Sequence, residues 1–258
     1  MKPFFLALAA LAVTGTLQAM VVSKAVEYKD GDVVLEGYLS YEDALQGKRP
    51  GILVVHDWMG IGAETKRRCD MLAQLGYVAF AADVYGKGVR PASAEGAGKL
   101  AGKYKGDRAL YRKRLNLALD ALKRDPNVDA TKLGAIGYCF GGTGALELAR
   151  SGADVKGTVS FHGGLDSLKP EEAKAIRGRV LVLHGADDPF VPAADITAFQ
   201  EELRKAGVDW TMVFYGGAVH SFTNPEAGAD NSKGAAYNAK ADARSWQAMA
   251  NFFEDLFD

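Results

Sequence analysis

Three residues far apart in the chain have the types and settings needed to cleave an acyl bond: Cys139, Asp188 and His220. Cys139 lies in Gly137-Tyr138-Cys139-Phe140-Gly141-Gly142, between the apolar run Leu133 to Ile136 and a helix-like stretch from Thr143 to Arg150. This pattern predicts strand, sharp turn and helix with a thiol at the apex. Glycines two residues to either side let strand and helix approach closely around the turn. A thiolate is a strong nucleophile, yet a free thiol with a pKa of ~8.5 is mostly protonated at neutral pH. It needs a base, and the base needs an acceptor that holds its orientation. Taken alone, G-x-C-x-G also fits a small, inert, buried cysteine, so the surrounding elements must decide.

Two further strand ends supply the partners. The apolar run Val180 to Leu183 leads into His184-Gly185-Ala186-Asp187-Asp188-Pro189-Phe190-Val191-Pro192, and Trp210 to Phe214 leads into Tyr215-Gly216-Gly217-Ala218-Val219-His220-Ser221-Phe222. The order nucleophile, acid, histidine is that of α/β-hydrolases, whose nucleophile occupies a comparable G-x-S-x-G elbow. Asp188 is expected to orient His220 because Pro-Phe-Val-Pro turns the chain immediately after it, with Asp187 capping the turn. His162 and His184 also end strands but lack a following acid in that order, and hydrogen bonds tying loop to loop are expected of them. His56-Asp57-Trp58-Met59-Gly60 follows the run Ile52 to Val55, where such folds build part of an oxyanion hole. The backbone N–H groups of Phe140 and Trp58 are the expected donors. The histidines and acids show no ligand spacing such as H-E-x-x-H, so neither a metal nor another cofactor is expected.

The elements that must position these groups alternate. Ala25 to Tyr28 and Val33 to Leu39 flank Lys29-Asp30-Gly31-Asp32, a hairpin signal. Then come strands over 52–55, 77–82, 133–136, 157–161, 180–183 and 210–214, and helical periodicity over 63–75, 108–123, 143–150, 193–205 and 237–253. The fold class is therefore α/β: a mainly parallel sheet flanked by helices and led in by an antiparallel hairpin. Residues 86–106, rich in Gly, Ala and Lys, read as a loop with weak helical pieces that partly screens Cys139. Only 16 residues, Gly163 to Gly178, separate two of the strands, too few for a cap domain, so access to the thiol should be open.

Bulk properties exclude some partners. A net charge of −1 over 258 residues, with no basic run interleaved with aromatics, argues against nucleic acid. Lys2, the apolar run Phe4 to Val13 and the small and polar residues up to Ala19 read as a signal peptide over 1–19. One domain over 20–258, periplasmic or secreted and free of the membrane after cleavage, is the expectation, with a monomer as the expected state. Of the two cysteines, Cys69 lies in a helical pattern and reads as structural; a Cys69–Cys139 disulfide remains open.

With these motifs assembled, the chain resembles the dienelactone hydrolase family over essentially the whole span after residue 19. The resemblance rests on Gly137 to Gly142, Asp188 to Pro192, Val219 to Phe222 and His56 to Gly60. It implies an α/β-hydrolase fold, a Cys-Asp-His triad and hydrolysis of a dienelactone to maleylacetate. Where chlorocatechol-pathway relatives carry a glutamate beside the cysteine and two carboxylate-holding arginines, the matching positions are Asp57, Lys87 and Asn224. Lysine lacks the planar fork of arginine and asparagine lacks charge. These three residues are candidate pocket positions. The function expected is hydrolysis of small esters or lactones by an exported enzyme through a thioester. Alternatives are a true dienelactone hydrolase (carboxymethylenebutenolidase) and a non-catalytic thiol or binding protein on the same fold.

Overall fold

The computed structural model describes residues 20–44 and 46–258; the leader expected over 1–19 lies outside them. The chain opens with β1 (Val21–Asp30) and β2 (Val33–Glu42), paired antiparallel through a two-residue turn with Gly31 at φ +58°. There follow β3 (Arg49–Val55), α1 (Ala63–Gln74), β4 (Val78–Ala82), α2 (Ala94–Gly106), α3 (Arg108–Lys123) and β5 (Val128–Tyr138). The second half holds α4 (Phe140–Arg150), β6 (Gly157–Phe161), β7 (Arg179–Gly185), α5 (Ala193–Ala206), β8 (Trp210–Tyr215) and α6 (Ala239–Phe257). The eight strands lie in the order β1-β2-β4-β3-β5-β6-β7-β8. β2 meets β4 antiparallel, and every pairing from β4 to β8 is parallel.

A parallel sheet must bury both faces, and alternation along β3 shows how this one does so. Leu53 and Val55 pack with Tyr104 of α2, Leu115 and Leu122 of α3, and Leu148 of α4. Ile52 and Val54 point the other way, onto Cys69 and Leu72 of α1 and Met249 and Phe253 of α6. A third cluster joins Leu146 of α4 and Val182 of β7 to Phe199 and Leu203 of α5. Each such aliphatic or aromatic side chain removed from water contributes ~1.5–3 kcal/mol before entropy is counted. All the parallel strands thus end on one rim, where the loops carrying Cys139, Asp188 and His220 meet.

One element departs from expectation. Residues 94–106 form a helix rather than a loop. Gly96, Gly98, Gly102 and Gly106 depress local propensity by up to ~1 kcal/mol each, which hides the helix from the sequence pattern. Tertiary packing overrides that penalty: Ala97, Ala101 and Tyr104 fall on one buried stripe, and Ser93 Oγ caps the start by accepting from Gly96 N at 3.2 Å. Tyr104 packs on Tyr85 and Tyr111, with ring centroids 5.5 and 6.1 Å away. The expected screen over Cys139 is therefore a docked helix.

Candidate active site

Cys139 stands alone between β5 and α4 at φ 55° and ψ −117°. A non-glycine residue held there costs about 1–3 kcal/mol, sustained only by a surround that leaves no alternative. The flanking glycines are that surround. A Cβ on Gly137 would sit 1.9 Å from Gly141 O, and one on Gly141 would sit 2.1 Å from Val55 O. Cys139 N also donates to Phe161 O at 3.0 Å, and Tyr111 Oη donates to Phe140 O at 2.9 Å from beneath α4.

The other two residues converge on this apex. His220 Nε2 lies 3.0 Å from Cys139 Sγ, and His220 Nδ1 lies 2.8 Å from Asp188 Oδ2. The Asp188 side chain is fully buried and that of His220 is 13 % exposed. Phe190 N donates to Asp188 Oδ1 at 2.9 Å, so both carboxylate oxygens are occupied and the group cannot swing away. His220 is pinned by its backbone, donating to Gly234 O and accepting from Ala236 N. Asp187 stays apart: its Oδ2 accepts from Gly217 N, tying its loop to the one that carries His220. Burial opposes charge on the imidazole, but the adjoining sulfur and Asp188 outweigh it and raise the His220 pKa to about 10. At neutral pH His220 is thus held as an imidazolium, its Nε2 directed at Cys139 Sγ.

The loop 56–60 brings Trp58 against Cys139. Buried His56 anchors it, with Nδ1 2.5 Å from Asp57 O and Nε2 accepting from Val84 N at 3.3 Å. Burial pushes the His56 pKa down to about 4, keeping the ring neutral. Tyr85 Oη donates to Trp58 O, and Asp57 Oδ1 accepts from Met59 N. Trp58, Cys139 and Phe140 line one cavity of about 190 Å³. Phe140 is the first residue of α4, so its N–H lacks an intrahelical acceptor. Among the described residues neither Phe140 N nor Trp58 N donates a hydrogen bond.

Of the remaining sequence candidates, Asp57 and Asn224 line a second cavity, of about 40 Å³, which also touches Cys139. Burial raises the Asp57 pKa, and Asn224 Oδ1 accepts from Glu226 N, capping a short turn. Lys87 is not a pocket residue. Its N–H bonds Val34 O, which directs the chain toward the β1–β2 hairpin, where the ammonium pairs with Glu27 and Glu36. His162 makes the expected loop tie, Nε2 to Thr223 Oγ1 at 2.8 Å. His184 does not: among the described residues its ring makes no hydrogen bond and packs edge-on to Phe214. Cys69 is buried on the α1 face and Cys139 sits at the rim; both are free thiols.

Two cations at the site escape sequence reasoning. Buried Arg68 of α1 borders the smaller cavity and bonds Glu64, Asp242 and Thr223 O, each at 2.7 Å. Its only signal was an arginine on the apolar stripe of a helix. Lys105 of α2 borders the larger cavity, and the unrecognised helix concealed it.

A mostly parallel sheet with a strained nucleophile-type elbow defines an α/β-hydrolase fold, and a putative dienelactone hydrolase from Klebsiella pneumoniae subsp. pneumoniae superposes on it at TM-score 0.79 with 23 % identity over 91 % of this chain and 99 % of that one. More narrowly, the chain belongs to the dienelactone hydrolase family, whose profile matches residues 35–257. A structure described as m3DLH is 44 % identical with TM-score 0.89, covering 92 % of this chain and 99 % of its own. A dienelactone hydrolase-like promiscuous phosphotriesterase from metagenomic libraries is 42 % identical with TM-score 0.87, with the same coverage. A putative carboxymethylenebutenolidase of Synechocystis is 29 % identical over 85 % of this chain and 91 % of its own length. The chain is accordingly a hydrolase acting on small molecules.

Proposed function

We propose that this chain hydrolyses small carboxylic esters and lactones through Cys139, His220 and Asp188, with a dienelactone-type ring as its best-supported substrate. The single observation that carries the mechanism is the continuous chain Asp188–His220–Cys139, with contacts of 2.8 and 3.0 Å. The Cys139 thiolate attacks the carbonyl carbon. The oxygen takes the electron pair and receives hydrogen bonds from Phe140 N and Trp58 N, each worth ~3 kcal/mol in the transition state. As the tetrahedral species collapses, the C–O bond breaks and His220 gives its proton to the departing oxygen, leaving a thioester. Water then loses a proton to His220 and attacks the thioester, and Cys139 departs as thiolate. With a lactone the leaving oxygen stays tethered, so one product forms with both the new carboxylate and the hydroxyl.

The family membership and the names of relatives such as the Synechocystis protein support the dienelactone reading over a general neutral-ester one. Lys87, which lacks the arginine fork, lies outside the site, while Lys105 and Arg68 border the cavities. No observation favours a non-catalytic thiol protein. The direct test is mass spectrometry of protein quenched during turnover of an activated ester: an acyl adduct on Cys139 is expected, and undiminished hydrolysis by Cys139→Ala refutes the mechanism. Dienelactone, a neutral aryl ester and an aryl phosphotriester compared side by side settle substrate preference, with the lactone expected to give the highest kcat/KM. We also propose export, with the leader removed after Ala19; a mature protein from the periplasm beginning at Met20 is the expected result.

A further inference from the structure

We propose that Lys105 is a specificity-determining residue whose ammonium holds a carboxylate on the substrate while Cys139 attacks the carbonyl. The inference rests on the hydrolase reading above and extends it to substrate charge. Lys105 borders the larger cavity together with Cys139, Phe190 and His220. Its Nζ lies 3.4 Å from the point a Cβ on Gly164 would occupy, which places the ammonium against the cavity wall. Among the described residues it forms no ion pair, whereas Lys99 on the same helix pairs with Glu95 at 2.6 Å. Asp166, whose Oδ1 lies 3.1 Å from that same point, is not among the residues lining the cavity, and its Oδ2 is engaged by Arg108 Nη2 at 2.5 Å.

Charge elsewhere at the site points the same way. No acidic side chain lines the larger cavity. The smaller one sets Asp57 and Glu64 beside Arg68, whose guanidinium is already bonded to Glu64 and Asp242. An anion entering the smaller cavity meets more negative than positive charge, and one entering the larger cavity meets an unpaired cation in a partly apolar surround, where attraction exceeds its strength in bulk water. Lysine acts as a point charge on a flexible stem, so it tolerates a range of carboxylate placements.

The test compares two nitrophenyl esters whose acyl chains end in a carboxylate or in the matching carboxamide, with kcat and KM measured separately. Lys105→Met is expected to lower the carboxylate-to-carboxamide ratio of kcat/KM about fivefold, through KM. Lys105→Arg should restore the ratio, and Lys105→Glu should lower it further. Raising salt from about 0.05 M to about 0.5 M should shrink the wild-type preference more than that of Lys105→Met. Lys99→Met, on the exposed side of α2, should leave the ratio unaltered. An unchanged ratio in both Lys105→Met and Lys105→Glu, with turnover of both esters still abolished by Cys139→Ala, overturns the Lys105 assignment alone. Turnover that persists in Cys139→Ala overturns the underlying hydrolase reading instead.

Discussion

Removing the Cys139 sulfur should change the titration of His220 more than any other single substitution at the site. In the folded chain burial alone would hold the imidazole below its ordinary value of 6.5, yet it is raised to about 10. The difference corresponds to roughly 5 kcal/mol favouring the protonated ring. Two of the contributions that raise it come from Cys139, through charge and through the 3.0 Å hydrogen bond; the others come from Asp188. Cys139→Ala deletes the first pair and leaves burial and Asp188 in place. The titration midpoint should fall from about 10, each pH unit of fall being about 1.4 kcal/mol of lost interaction. Proton NMR of the His220 ring from pH 5 to about 11 reads this directly. The sign also constrains activity: in the proposed mechanism His220 is the proton donor to the departing oxygen, so acylation should decline as pH rises through about 10. A wild-type midpoint near 6.5, or one that Cys139→Ala leaves in place, would refute the coupling of the His220 charge to Cys139.

Other perturbations probe the scaffold. Gly137→Ala places a methyl 1.9 Å from Gly141 O, and the resulting backbone shift should destabilise the fold by about 3 kcal/mol in urea titrations and lower kcat; an unchanged midpoint would contradict the close approach. Arg68→Met leaves Asp242 without its cation and Glu64 with Arg67 alone, and should cost about 3 kcal/mol in the same assay, with no loss expected only if that network were spread into solvent. Lys87→Ala removes only exposed pairing with the hairpin and should leave KM for a carboxylate-bearing ester unaltered, whereas a raised KM would return Lys87 to the pocket.

Much of the candidate site is legible along the chain because its parts are local. Each of Cys139, Asp188 and His220 follows an apolar run and sits among turn-forming residues, so placing them on strand ends requires only periodicity and the order of the segments. The choice between Asp188 and Asp187 is local too, since the prolines at 189 and 192 dictate where the chain turns. Helix α2 is the counterexample. Its glycines erase the local signal, and the helix exists because Ala97 is buried and Ala101 and Tyr104 pack with Tyr85 and with Leu115 and Leu119 of α3.

Which charges face the cavities is likewise absent from the sequence. Lys87 and Lys105 are both lysines in glycine-rich stretches, and only tertiary packing sends one to the hairpin and the other to the cavity wall. Arg68 becomes intelligible only beside Asp242, a partner 174 positions away. The sequence by itself determined the succession of strands and helices, the elbow at Cys139 and the identities of the three converging residues, because backbone preference and burial pattern act over a few residues. Only the tertiary structure decided the 3.0 Å contact of thiol and imidazole, the His220 charge it supports and which lysine borders the cavity beside Cys139, because each depends on distances between side chains that the sequence leaves unspecified.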